Sequence, residues 1–142
     1  MVRRLLVLGA VLAMVATVLV STGAASVSDP FAGVWIGQEP APPAGDGSTD
    51  LMAIGRPGST GLRTWAYYET NASGYCAGGG PLAAAGKGRS EGNVLVVTIT
   101  WTRCANGSAG AIATPFDVTV TATGDGRLDF FGVSFTRLWW SG

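Results

Sequence analysis

Carboxylates, tyrosines and one pair of cysteines are the side chains in this sequence that could do chemistry, and it has no histidine. Without histidine the commonest general base, the commonest metal ligand and every Ser-His-Asp or Cys-His arrangement are excluded. Cys76 and Cys104 are the only thiols. In an oxidising compartment, which the N-terminus argues for below, the default for such a pair is a disulfide and not a nucleophile. Two acids at a set separation are enough for glycosidase chemistry. However, Asp46, Glu91, Asp117 and Asp125 sit in turns or on polar strand faces. Glu69 and Arg103 differ, because each has the inward parity of its strand. Trp65 and Tyr67 share the face of Glu69, and Trp101 shares that of Arg103. Together they read as an aromatic-lined cavity with one charge of each sign at its mouth, the usual make-up of a small-molecule site. The competing readings are rings that merely fill a small barrel and a plain surface salt bridge. Nothing in the pattern asks for a metal or a cofactor, and no catalytic constellation emerges.

The elements that must position these residues are strands. Apolar positions recur with period two, and no window of ten or more residues has helical spacing. In 94–103, Leu95, Val97, Ile99 and Trp101 alternate with Val96 and three threonines, so odd positions are expected to face the core. Residues 115–123 alternate in the same way, and Gly124-Asp125-Gly126 supplies the positive φ angles of a tight hairpin. The chain then returns through 127–131 and 133–139. Weaker strands are read at 31–38, 49–56, 62–70 and 82–90, the last being rich in Ala and Gly. Connections alternate between long (39–48, 71–81, 104–114) and tight (57–60, 91–93, 124–126). One end of the molecule is therefore elaborated and carries both cysteines, while the other is plain. Eight strands in series predict an all-β, up-and-down antiparallel β-barrel, which removes unpaired edges by closure. Should Gly132 be a bulge instead of a turn, the count falls to seven and a β-sandwich becomes the alternative.

Gly33-Val34-Trp35 in the first strand and Arg137 in the last resemble the signature of the lipocalins and the wider calycin group. That resemblance implies a tryptophan laid across the closed end of a barrel, with the arginine packed on its ring. Trp35 and Arg137 both have inward parity and fall at the plain end. The chain is shorter than most lipocalins and shows no C-terminal helix. Avidin-type barrels and small secreted barrels that inhibit metalloproteases share the outline, so the fold leaves function open.

Met1-Val2-Arg3-Arg4, the apolar run from Leu5 to Val20 and the small residues that follow read as a signal peptide over 1–28, ahead of a single domain over 29–142. The protein is expected to be secreted or extracytoplasmic. An uncleaved membrane anchor is the alternative, because the apolar stretch approaches spanning length. Arg3 and Arg4 account for two of the nine basic residues; the remaining seven face nine acids, a formal charge of minus two. No basic patch is left to bind nucleic acid. Two Asn-x-Ser sequons begin at Asn71 and Asn106, and the Ala- and Gly-heavy usage fits a bacterial chain, in which they would carry no sugar. The expectation is a binding barrel for a small apolar or amphipathic ligand. The alternative is a protein-interaction or enzyme-inhibitor module that uses the long loops, and an enzyme ranks third.

Overall fold

The computed structural model describes residues 29–107 and 113–138; the expected signal peptide and Trp139 lie outside them. Eight strands follow one another: β1 Gly33–Gln38, β2 Thr49–Ile54, β3 Arg63–Glu69, β4 Leu82–Glu91, β5 Val94–Cys104, β6 Phe116–Ala122, β7 Arg127–Phe130 and β8 Val133–Leu138. Each pairs antiparallel with the next, and β8 pairs with β1, so the sheet is a closed up-and-down barrel. All sixteen strand ends fall within two residues of the alternation read from the sequence. The reason is that strand parity is a local property of the backbone.

Gly132 proves to be a turn. Phe131 and Gly132 both take positive φ (52° and 80°), the conformation of a primed two-residue hairpin. The eight-strand count holds and the sandwich alternative falls away.

The Ala- and Gly-rich β4 is one of the two longest strands, and its composition has a packing reason. Leu82, Ala84, Gly86 and Gly88 point inward, beside Trp65, which pairs with Gly86 from β3, and across the interior from Phe130 and Phe135. Small residues on one wall accommodate large rings on the other. At Gly86 the fit is to backbone, since a Cβ there would fall 2.9 Å from Ile99 Cα. This close approach coincides with a β-bulge: Ala85 pairs with Trp101 but Gly86 pairs with Ile99, which leaves Thr100 as the extra residue of β5.

The plain end is filled. Trp35, Phe31, Met52, Ile54, Leu95, Val120, Leu128 and Phe135 are all fully buried there. The Trp35 indole Nε1 donates to Phe31 O at 2.8 Å. Arg137 lies over the Trp35 ring, its Cζ 4.5 Å from the centroid, and its Nη2 donates to the carbonyls of Asp29 and Pro30 at 3.0 and 3.1 Å. Gly33, at φ 146°, clears the space: its missing Cβ would sit 3.4 Å from Arg137 Nε. A second arginine, Arg63, pairs with Asp29 at 2.7 Å and covers Phe31 at 5.7 Å. Asp29 also accepts from the backbone N–H groups of Phe31 and Ala32. Burial alone would raise its pKa, but Arg63 and the two N–H groups outweigh that and hold the carboxyl below its usual value. Two arginines thus clasp the segment 29–32 as a plug across the barrel floor.

At the elaborated end Cys76 and Cys104 form a disulfide, a bond that persists in oxidising, extracytoplasmic surroundings. Ala72 and Leu82 pack around it as a small second cluster.

Candidate functional site

Above Trp65 the barrel is hollow. A cavity of about 220 Å³ opens at the elaborated end, walled by Trp65, Tyr67, Phe130, Ile99, Val118 and Val133. Trp65 and Tyr67, two positions apart on β3, stack with centroids 5.7 Å apart and planes 7° from parallel. Phe130 of β7 meets both rings edge-on, at 5.9 and 5.3 Å. The result is a rigid aromatic wall. The apolar lining comes from inward positions of strands, and the polar lining comes from the strand ends and loops above.

That polar lining is acidic. Asp50 and Glu69 are directly paired across β2 and β3, both inward and both buried, and Glu39 joins them from the first long loop. Ser48 Oγ donates to Asp50 Oδ1 at 3.2 Å, and the Tyr67 hydroxyl donates to Glu69 Oε2 at 3.4 Å. The Tyr67 hydroxyl faces Asp50 as well, but its single proton goes to Glu69, so Asp50 Oδ2 is left buried without a hydrogen-bond partner. Trp65 Nε1 is likewise buried and unpaired. No Lys or Arg is among the described residues lining the cavity. Burial, with the neighbouring carboxylates adding to it, pushes Glu69 up to about 7 and Asp50 up to about 6. Burial beside the same acids raises the Tyr67 phenol as well, so it stays a hydrogen-bond donor. Oxygens of Glu39, Asp46 and Glu69 lie within 4.8 Å of one another at the rim, a donor set that a hard cation could use.

Of the residues expected at the site, the structure brings together Trp65, Tyr67 and Glu69. Trp101 and Arg103 are corrected: both point outward, and Trp101 is 36% exposed. The cause is the bulge at Thr100, which reverses parity for the rest of β5 and turns Thr102 and Cys104 inward instead. Thr102 takes the lining position and Cys104 reaches its disulfide. Arg103 makes no ion pair with Glu69; those among the described residues are Arg63–Asp29 and Arg127–Asp125. The mouth therefore has one sign of charge where the sequence suggested two. Sequence reasoning missed Asp50, Glu39, Phe130 and Phe131. Asp50 carried a usable signal, because it shares the parity of Met52 and Ile54.

No family model matches this chain, and no curated protein or solved structure matches it either.

The raised carboxyls have a consequence for stability. A group whose folded pKa exceeds its unfolded value holds its proton more tightly when folded. Unfolding free energy then rises as pH falls through the window between the two values. For Asp50 and Glu69 that window runs from near 7 down to about 4. The ligand-free protein is expected to gain on the order of 2 kcal/mol between neutral pH and about pH 5. Below that, Asp29 and Asp46, whose pKa values are lowered, pull the other way. Thermal melts across this range check it; a melting temperature that falls steadily on acidification from neutral pH would show that the pair is not carrying the raised pKa.

Proposed function

We propose that this is an exported, lipocalin-like binding barrel that holds a small amphipathic molecule under its long loops. The observation that carries the reading is the contrast within one interior: a filled floor clasped by Arg137 and Arg63, and a hollow top walled by Trp65, Tyr67 and Phe130. A barrel that only needed stability would be filled throughout, since unfilled apolar volume is destabilising. The volume suits a molecule well below drug size. The Trp35–Arg137 packing supports the calycin likeness, and the signal-like N-terminus together with the disulfide supports export.

The test is ligand binding read by tryptophan fluorescence across a library of small amphipathic compounds. A Trp101→Ala variant is expected to bind hits as the wild type does, because its ring lies outside. Trp65→Ala should weaken them about ten- to a hundred-fold through lost ring contact. Ala84→Leu provides a variant that does not thin the core: it projects into the cavity and should block binding while leaving the melting temperature equal or higher. Binding that survives Ala84→Leu would place the ligand elsewhere.

A second reading has one specific support. Phe131 is 76% exposed at the cavity rim, in a left-handed conformation that a bulky side chain adopts at a cost of about 1–2 kcal/mol. An apolar side chain held out in this way suits a protein partner gripped at the open end, and loss of partner binding on Phe131→Asn would favour that role.

A further inference from the structure

Asp50 and Glu69 face each other on adjacent strands, a pairing that is destabilising for like charges. Both are at least nine-tenths buried, and the one hydrogen bond that Asp50 accepts comes from Ser48 to Oδ1. Asp50 Oδ2 stays without a donor while it lines the same cavity as the aromatic wall. Positive charge placed between the two carboxylates would supply that donor and cancel the repulsion.

We propose that the ligand is a small organic amine in its protonated form, its ammonium held between Asp50 and Glu69 and its apolar body against Trp65, Tyr67 and Phe130. This rests on reading the cavity as a binding site and specifies the class of molecule. An ammonium has three donors to share among Asp50 Oδ2, Glu69 and Glu39, and charge-assisted bonds of this kind are the strong ones. The aromatic rings would shelter the organic body, whereas a bare metal ion would gain nothing from them. Asp50 also lies outside the rim cluster of Glu39, Asp46 and Glu69 that a metal would use. The charged and titratable groups facing the pair are Glu39, Asp46 and Tyr67, none of them cationic at neutral pH. Amine and protons therefore compete for the same carboxylates, and amine binding should release protons.

Two matched probe sets, phenylethylamine with phenylethanol and phenylpropionate, and hexylamine with hexanol and hexanoate, test this by calorimetry on the disulfide-bonded protein. In at least one set the amine is expected to bind about ten-fold or more tighter than the alcohol, with the carboxylate weakest. Amine affinity should fall, and alcohol affinity hold, as pH is lowered from about 8 to about 5. Asp50→Asn combined with Glu69→Gln should close the amine-to-alcohol gap by weakening the amine far more than the alcohol, and an unchanged cooperative melt shows that the variant is folded. Alcohol and amine binding equally, or the carboxylate binding best, would overturn the amine assignment and leave the binding barrel standing. No binding by any of the six probes would overturn both. Tight binding of calcium alone, lost in Glu39→Gln, would replace the amine by a metal.

Discussion

Replacing Trp35 with alanine is expected to lower stability by about 3–5 kcal/mol, the largest effect of any single substitution considered. The ring is fully buried, and its removal takes three things at once: packing against the floor, the indole bond to Phe31 O, and the surface on which Arg137 lies. Arg137 would then be left partly buried over a void, its Nε already without a partner. For a domain of this size the loss corresponds to a fall of roughly 15–20 °C in melting temperature. Arg137→Ala should cost less, about 1–3 kcal/mol, from the lost cation–π contact and the two bonds to the Asp29 and Pro30 carbonyls. Lysine should not rescue it, because a single ammonium cannot both lie flat on the indole and reach two carbonyls. Both variants act at the floor, so ligand affinity measured well below the melting transition should be little changed. A Trp35→Ala protein that melts within a few degrees of the wild type would show that the plug is not part of the cooperative core.

The second large effect is at the opposite end. Removing the disulfide, by reduction or by Cys76→Ala with Cys104→Ala, is expected to cost about 3.5 kcal/mol in the chain-entropy account for cysteines 28 residues apart. The bond also ties the loop 71–81 to the end of β5, and the buried apolar residues clustered with it among those described are Ala72 and Leu82, a small core for a loop of this length. Amide exchange should therefore speed up first in 71–81. Ligand affinity should weaken too, because Tyr75 of this loop lines the cavity. The contrast with Trp35→Ala is diagnostic: one variant loses stability alone, the other loses stability and binding. A reduced protein with unchanged melting temperature and unchanged exchange in 71–81 would count against the disulfide as the organiser of the open end.

Period-two alternation located the strand segments and, with the loop lengths, the elaborated and plain ends, while the meeting of Trp35 with Arg137 was implied by the calycin resemblance and the cysteine pairing by their number and the expected export. Strand positions and ends follow from local parity plus the order of the loops, and parity holds for as long as a strand stays regular. The reading failed where regularity broke. Trp101 and Arg103 have the parity of Leu95, Val97 and Ile99, yet one unpaired residue, Thr100, turns them to solvent. The bulge lies where β4 comes close enough at Gly86 that no side chain fits, and that proximity belongs to two strands at once and has no mark in β5 alone. Gly132 stayed open between turn and bulge for a similar reason, since a two-residue turn with Phe131 at positive φ is one that local preference disfavours. Asp50 was legible by parity and was passed over, because an isolated acid in a strand gives no sign of which residue will face it. Its pairing with Glu69 is a matter of register between β2 and β3. Whether the interior is hollow was beyond any single strand. It depends on the summed volume of the inward side chains of all eight strands, which pack tightly around Trp35 at the floor and leave a gap beneath the loops.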